Sequence, residues 1–492
     1  MAVRGRVGLA AVVVAALSVG AAWAQDVSSA KRAEASPERI AEALRQGNRA
    51  DALEYYRALV NKTNQLHLRS LRQICEAVIR EGLANPSMEV RVQAARALKQ
   101  SVDVDRAPLI LEVLRERKVP EDFVIEEPFL PVRSDGLMPT LLKALGDADR
   151  MVRIWAVSAL AEMGGPDAVE PLTKAADDPF LWVRLQAVLG LGRLGPDVVP
   201  RARLRPLVND PSPPVALDAA AVLYASGELD MKPRLEQMLA SPDPHLAGHF
   251  AAAATVLKSP ALNELLAPLL THKDATVRMQ AAQAVGTLKV PGTSAALMTL
   301  LSDSDVSVRA AAAQALGELG ETKALADLER LAATGTGPLK IAAIGALGKF
   351  GSTGVLGPLR RALTDTDPSI RLAAAQALGD IHAEEVVPLL QEVYANREEV
   401  VSVRAHAAAS AARLGDPKAV VQLNTDAQDQ DYYTRVWAAW GLGEVGTRAQ
   451  LLTLVNLLAD TDEMVRPVGA GAVLKLSNRL EKEEAARAAG SP

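Results

Sequence analysis

The apolar positions of this chain recur in blocks of about 31 residues. One block runs from Val308 to Gly320 as Val-Arg-Ala-Ala-Ala-Ala-Gln-Ala-Leu-Gly-Glu-Leu-Gly, and close variants begin at Val277 and Ile370. The residue before the arginine and the third and seventh residues after it are apolar, which is the spacing of one helical face. A period of roughly 20 to 50 residues indicates stacked units, none of which can bury its apolar face alone. The pattern predicts an all-α chain, an α-solenoid of about twelve helix pairs.

The arginine of the block marks what we call the reference position of each unit. It is occupied by Ala216, Ala247 and Lys340 in three units, and by arginine in the others: Arg153, Arg184, Arg278, Arg309, Arg371, Arg404, Arg435 and Arg466. Turn aspartates precede it, as in Asp303, Asp305, Asp365 and Asp367. Aspartate at a helix start accepts hydrogen bonds from free backbone N–H groups, and an arginine beside it can pair with the aspartate of the next unit. We therefore expect a structural ladder between repeats, interrupted at Ala216 and Ala247.

Each regular unit should contain a first helix, such as Ala295 to Leu301, a turn, and a second helix that carries the reference position. Gly317 and Gly320 are expected to end the second helix that starts at Val308, because glycine is favoured at helix C-termini. Alanine at the third position after the reference should be buried and should let neighbouring helices approach to about 8–10 Å.

The chain divides into six predicted segments. They are a signal peptide (1–24), an N-terminal helical cap (25–65) whose first helix starts at Ser36-Pro37, a first repeat (66–102), a degenerate repeat with a long loop (103–136), a regular array (137–476) and a charged C-terminal tail (477–492). Prolines at 120, 128 and 131 exclude a regular helix from the loop. This loop is either functional or a divergent repeat that fills a gap.

The first 24 residues have the parts of a secretory signal. Arg4 and Arg6 precede an uncharged apolar run that ends in Ala22-Trp23-Ala24, a cleavage site of the A-x-A kind. The run is shorter than the roughly 20 residues that span a membrane. We expect cleavage and a periplasmic or extracellular protein without a membrane span; the alternative is a retained anchor. The lone Cys75 cannot form an internal disulfide.

Composition argues against a nucleic-acid partner. The net charge is −5, and the predicted cleavage removes two arginines, so the mature chain is more acidic still. Nucleic-acid binding requires a basic face. We expect a monomer that binds one or more proteins.

The second, fifth and ninth positions after the reference vary between units and share one helical face, opposite the apolar stripe. In a helical solenoid the second helices line the concave surface, so these positions predict a partner-binding groove. Its candidate residues are Trp155, Gln186, His249, Gln280, Gln314, Gln376, His406, Trp437 and Trp440. Trp437 and Trp440 lie near Tyr432 and Tyr433 in its most aromatic part, and exposed tryptophans are favoured interface anchors. The alternative is that these tryptophans pack between repeats or under the C-terminal tail.

The units resemble HEAT repeats, most closely the short variety named after phycobilin lyases. The resemblance rests on the run from Asp303 to Gly320 and its echoes between about Leu66 and Leu476. It implies a helical scaffold and is poor evidence for a particular function. Lyases of this type act on antenna proteins, and di-iron hydroxylases of this type use His-Glu pairs, which this sequence lacks. HEAT-like DNA glycosylases need a basic concave track, which the acidic balance opposes.

No motif in the sequence predicts catalysis, a cofactor or a metal site. His245 and His249 have a spacing that could place two ligands on one helix face, but Pro244 puts His245 at the helix start and only Asp218 could join them. No nucleophile elbow or phosphate loop is present. We expect a scaffold rather than an enzyme; the alternative is a ligand- or metal-binding or enzymatic HEAT protein related to bilin lyases.

Overall fold

The computed structural model describes residues 29–100, 107–120 and 135–488. All regular structure in these residues is helical, and the expected all-α architecture of stacked helix pairs is confirmed. The predicted signal peptide, the centre of the 119–136 loop and the last four residues lie outside the described residues.

The helices alternate as the first and second members of successive repeats. Those up to residue 120 are α1 (Ser29–Glu34), α2 (Pro37–Arg45), α3 (Arg49–Thr63), α4 (Leu68–Leu83), α5 (Met88–Lys99) and α6 (Ala107–Arg115). Those that start between residues 135 and 300 are α7 (Met138–Ala144), α8 (Arg150–Met163), α9 (Val169–Ala175), α10 (Leu181–Arg193), α11 (Arg201–Leu204), α12 (Pro213–Ala225), α13 (Lys232–Leu239), α14 (Pro244–Leu257), α15 (Asn263–Leu266), α16 (Ala275–Leu288) and α17 (Ser294–Leu300). The remainder are α18 (Val306–Leu319), α19 (Leu325–Thr334), α20 (Gly337–Lys349), α21 (Leu356–Ala362), α22 (Pro368–Gly379), α23 (Val386–Ala395), α24 (Val401–Arg413), α25 (Pro417–Asp426), α26 (Tyr432–Val445), α27 (Arg448–Leu457) and α28 (Val465–Ala488).

Side-chain caps fix where helices begin. Ser36 accepts a hydrogen bond from the backbone N–H of Arg39, with Pro37 in the first turn of α2, as the sequence predicts. Aspartates cap several second helices in the same way: Asp149, Asp243, Asp274, Asp305, Asp367 and Asp431. These caps satisfy N–H groups that have no partner within the helix.

The apolar stripe of the second helices forms the core. The alanines at the third position after the reference are 0–1% exposed: Ala156, Ala187, Ala219, Ala281, Ala312, Ala343, Ala374, Ala407 and Ala438. Burial of this position agrees with the helical spacing of the block.

Glycines at the end of the block have two different roles. Gly320 ends α18 in the left-handed conformation, with a φ of 64°, as expected. The prediction for Gly317 is wrong, because this residue lies inside α18 and the helix continues to Leu319. A Cβ atom on Gly317 would lie 2.6 Å from the Cα of Ala346 in α20. Gly317 therefore lets consecutive second helices touch through their backbones.

The chain forms two compact units. One contains residues 121–390, and the other combines both ends of the chain, residues 1–120 and 391–492. In the unit that holds both ends, α28 packs against α26 and α27 of the last repeat and also against α4 and α5 of the first. The first and last repeats are thus neighbours within one unit.

Small residues and polar contacts join the two chain ends. A Cβ on Gly471 of α28 would lie 3.3 Å from the Cα of Ala97 in α5, which resembles the contact between consecutive second helices. Asn478 donates to the carbonyl oxygen of Gln100 at 2.7 Å, and Arg72 forms an ion pair with Glu481. Residues 477–488, predicted as a tail that extends the last helix, continue α28 without a break.

Candidate functional site

The reference arginines lie where two turns meet. Arg278 donates from Nη1 to the carbonyl oxygens of His272 and Lys273 in its own turn. Its Nε and Nη2 atoms donate to both carboxylate oxygens of Asp303 in the next turn, at 2.7 and 2.8 Å. Equivalent two-bond pairs join Arg153 to Asp178, Arg184 to Asp210 and Arg435 to Asp460. The hydrogen bonds from Arg278 hold the pKa of Asp303 below its usual value.

The two turn aspartates of a repeat bind different partners. Asp303 binds the arginine of the preceding repeat, whereas Asp305 caps its own helix by accepting from Ser307 and Val308. Two units later, Asp365 binds Lys340 of the preceding repeat at 2.6 Å and Asp367 caps α22 at Ser369. The turns are thereby tied both within a repeat and between repeats.

The partners of the reference residue differ between repeats. Among the described residues, Arg309 binds only the carbonyl oxygens of its own turn, because the next turn reads Gly335-Thr336-Gly337 and offers no carboxylate. Arg371 and Arg466 also bind carbonyl oxygens of their own turns, and Arg404 pairs with Asp426 at 2.8 Å. The expectation of an aspartate partner in the next unit is therefore wrong for Arg309.

A histidine–aspartate pair occupies the part of the array where Ala216 and Ala247 replace the arginine. His249 Nε2 lies 2.9 Å from Oδ1 of Asp218, which stands at the same position of the preceding repeat. Asp218 is 0% exposed, and its Oδ2 atom has no hydrogen-bond partner in the described part of the chain. Burial raises the pKa of Asp218, and the hydrogen bond from His249 opposes this in part.

The same contact favours the charged form of His249. Burial is the largest influence on this imidazole and lowers its pKa, but the hydrogen bond to Asp218 and the negative charge of Asp218 together outweigh burial and raise the pKa. The pair supplies a hydrogen bond between two repeats that lack the arginine. His245, in the first turn of α14, is exposed and does not join the pair.

Five rings from two neighbouring second helices form what we call the aromatic cluster: Tyr432, Tyr433, Trp437 and Trp440 of α26, and His406 of α24. The imidazole of His406 lies over Trp440 with ring centroids 4.2 Å apart, and its centroid is 5.3 Å from that of Trp437. The two indoles meet edge to face at 5.7 Å. Tyr432 and Tyr433 are each 45% exposed, and the other three rings are half-buried.

Local hydrogen bonds hold the start of α26, and with it the cluster, in place. Asp431 caps the helix by accepting from the backbone N–H and the hydroxyl of Thr434, at 2.9 and 2.8 Å. The hydroxyl of Thr434 lowers the pKa of that carboxyl. Arg435 fixes the same turn to Asp460 of the next repeat at 2.7 Å. The rings are therefore presented on a rigid element.

The cluster contains a fixed tautomer and an unsatisfied donor. Burial lowers the pKa of His406, so the ring is neutral at pH 7. Its Nδ1–H donates to the carbonyl oxygen of Ser402 at 2.7 Å, which leaves Nε2 as an acceptor. The indole Nε1 of Trp437 has no hydrogen-bond partner among the described residues. A buried donor without a partner costs about 1–3 kcal/mol.

The other candidate residues of the predicted groove differ in how far they are exposed. Gln314 and Gln376 are exposed, while Gln186 and Gln280 are half-buried. The side chain of Gln280 lies close to Gly248, beside His249. Trp155 is only 1% exposed, and its assignment to a partner-binding surface is wrong. Burying an indole is favourable enough to draw this side chain into the core.

Sequence reasoning missed Arg413, which lies seven residues after His406 on the same helix face. It stands at the ninth position after Arg404, one of the three variable positions that predict the groove, but it is not among the candidate residues named from the sequence. Arg413 and Glu444 line a cavity at the C-terminal ends of α24 and α26. The sequence does show an arginine at a variable, groove-facing position in the same repeat as His406, and that feature could have identified Arg413.

The described residues hold neither a membrane-spanning helix nor a cluster of metal ligands. No helix among residues 29–100, 107–120 and 135–488 has both the length and the apolar character to cross a bilayer. In the same ranges, no three His, Cys, Asp or Glu side chains come together in a way that could hold a metal ion.

Comparison with known protein families identifies the repeats. The family model for HEAT repeats matches residues 132–187, 169–254, 262–342, 335–412 and 397–473. The chain belongs to the HEAT-repeat family. The matches cover the predicted regular array, and the family defines an architecture rather than a reaction. No curated protein sequence is detectably similar to this HEAT-repeat chain.

Several solved structures are similar to parts of this HEAT-repeat protein. The complex of CpcE and CpcF of phycocyanin lyase from Nostoc sp. PCC7120 matches at 23% identity, over 43% of this chain and 94% of that chain, with a TM-score of 0.32. Kap121p matches at 13% identity, over 84% and 50%, with a TM-score of 0.38. Human deoxyhypusine hydroxylase in complex with glycerol matches at 17% identity, over 62% and 95%, with a TM-score of 0.24.

Proposed function

We propose that this protein is an exported HEAT-repeat scaffold that binds a protein partner through the aromatic cluster. The observation that carries the proposal is the grouping of five rings from α24 and α26 on the face opposite the apolar stripe. Tyrosine and tryptophan are enriched among residues that dominate binding energy at interfaces. Rings that are already packed on each other lose little side-chain entropy when a partner binds.

Export is the second part of the proposal. It rests on the basic start, the apolar run and the Ala22-Trp23-Ala24 site of the first 24 residues. The mature chain would begin at Gln25 and act as a monomer in the periplasm or outside the cell. The mass of the protein recovered from the exported fraction tests this directly. A mass that includes residues 1–24 would contradict cleavage.

Affinity capture from the exported fraction tests the binding surface. The mature chain serves as bait beside a Trp437→Ala/Trp440→Ala variant and a control, Trp182→Ala, which removes an indole that is 42% exposed on α10. We expect a partner that binds the wild type and the control but not the double variant. Circular dichroism and thermal melting establish that the double variant is folded. A partner retained by the folded double variant would contradict the assignment of the cluster.

A further inference from the structure

The aromatic cluster continues along the same helix faces to a cavity. Arg413 follows His406 by seven residues on α24, and Glu444 follows Trp437 by seven residues on α26. Seven residues are two helical turns, or about 10.5 Å. Arg413 and Glu444 both line a cavity of about 560 Å³, and residues of α28 line its other side. A cavity of this size is within the range of ligand pockets, roughly 300–1,000 Å³.

The walls of the cavity carry more positive than negative side chains. Its charged lining residues are Arg413, Arg448, Arg479, Arg487, Glu444, Glu483 and Glu484. Each glutamate already has a cation: Lys475 for Glu444, Arg448 at 3.2 Å for Glu484 and Arg479 at 3.7 Å for Glu483. Arg479 also donates to the carbonyl oxygens of Glu444 and Gly446.

Two arginines of the cavity have no such partner. Arg413 donates to the hydroxyl of Ser410 at 3.1 Å within its own helix. In the part of the chain that the structure describes, neither Arg413 nor Arg487 has a carboxylate within 4.0 Å. Both are exposed at the cavity. Arginine binds carboxylates through paired N–H donors, so the cavity has the charge and the donors to take one.

We propose that the partner of the aromatic cluster is an extended acidic peptide, which places an apolar or aromatic residue on the cluster and a carboxylate on Arg413 and Arg487. An extended chain advances about 3.3 Å per residue, so the two elements of the motif lie about three residues apart. The inference rests on the proposed function, because it uses the same cluster as the anchor. A cationic partner is opposed by the uncompensated arginines, although aromatic rings alone could bind one.

Labelled peptides test the motif on the full mature chain. The probe is fluorescein-Gly-Ser-Phe-Pro-Gly-Glu-Glu-Gly-Ser, and its twin replaces both glutamates by glutamine. Fluorescence polarisation should show the acidic peptide binding about tenfold more tightly, a difference of about 1.4 kcal/mol, because arginine forms paired hydrogen bonds with a carboxylate. The difference should shrink as salt is added. Equal binding of the twins, or no binding of either, overturns the inference.

Two sets of variants separate this inference from the proposed function. Arg413→Gln/Arg487→Gln should remove the preference for glutamate and leave the affinity of the glutamine twin unchanged. The control, Arg234→Gln/Arg360→Gln, makes the same change of charge on exposed residues of α13 and α21 and should retain the preference. Trp437→Ala/Trp440→Ala should weaken both peptides.

Each remaining outcome points to one of the two proposals. Binding that depends on the tryptophans but not on Arg413 and Arg487 overturns the acidic motif and supports the cluster as anchor. Binding that depends on the arginines but not on the tryptophans overturns the cluster and, with it, the motif. A hexuronate oligosaccharide that binds where both peptides fail would show that the carboxylate comes from a glycan, which also overturns the inference.

Discussion

At the scale of single residues, the reference arginine acts as a clamp between two turns. Its guanidinium group binds carbonyl oxygens of its own turn and, in several repeats, an aspartate of the next. The contacts are partly buried, with the Arg278 side chain 14% exposed and that of Asp303 9% exposed. Such pairs contribute more than ion pairs at the open surface.

Replacing one reference arginine that binds the next turn should lower the free energy of unfolding by a measurable amount. Arg278→Gln leaves Asp303 without its ionic partner, so we expect the free energy of unfolding to fall by about 1–3 kcal/mol. Arg309→Gln is the matched control, because Arg309 makes the same contacts to its own turn but none to an aspartate of the next repeat. Urea denaturation measures both variants. Equal losses would show that the contact between repeats contributes nothing.

The pair of Asp218 and His249 should make stability depend on pH. Both pKa values are raised in the folded protein, so the folded state binds protons more tightly than the unfolded state at each site. The contribution of His249 is present below its unfolded pKa of about 6.5 and is lost as the pH rises through the folded pKa. The contribution of Asp218 to the free energy of unfolding likewise decreases as the pH rises through its folded pKa.

Thermal melting at several pH values measures this effect. The melting temperature of the wild type should fall as the pH rises from about 6 to about 8. Asp218→Asn/His249→Gln keeps polar side chains of similar size at both positions and should flatten the dependence. A double variant whose profile matches that of the wild type would assign the pH dependence to other groups.

At the scale of elements, the close approach of second helices depends on two small residues, one on each helix. The glycine at the eighth position after the reference meets the alanine at the sixth position of the next repeat, as Gly317 meets Ala346 and Gly348 meets Ala377. The sequence shows that glycine recurs at this position, but it does not show that the glycine contacts the next helix. A glycine near the end of a helical block fits a helix end as well as a helix contact, and only the neighbouring helix decides between them.

Alanine at Gly317 should therefore destabilise the protein. Its Cβ would lie 2.6 Å from a backbone atom of α20, and overpacking of this kind costs about 1–3 kcal/mol. Gly345→Ala is the matched control, since nothing lies within 4 Å of the added Cβ. That variant should gain up to about 1 kcal/mol from the higher helix propensity of alanine. Urea denaturation of the two variants gives opposite signs if the contact is as described.

At the scale of the whole molecule, the periodicity of the sequence predicted the architecture, while the contact between chain ends was not predictable. Period and burial follow from local spacing, which the sequence displays directly. The packing of α28 on α4 and α5 joins opposite ends of the chain, and no single block encodes it. Trp155 was mispredicted for the same reason. Its place at the second position after the reference predicted exposure, but side chains from elsewhere in the fold bury it.

Removal of residues 477–492 should loosen the first repeat. The truncation deletes the contacts of Arg72 with Glu481 and of Asn478 with Gln100, so amide hydrogen exchange in α4 and α5 should accelerate. Exchange in α18 and α20, which belong to the other compact unit, should be unchanged. Unaltered exchange in α4 and α5 would show that these contacts do not stabilise the first repeat.

Site-specific photocrosslinking tests the central claim, that the aromatic cluster is the surface that binds a partner. A benzoylphenylalanine at Tyr433 replaces one exposed ring of the cluster with a reactive ring, and the same group at Val421 of α25, which is 57% exposed, is the control. In the exported fraction we expect a discrete adduct from position 433 that disappears when Trp437→Ala is added, and none from position 421. Adducts from both positions, or from neither, would contradict the proposal.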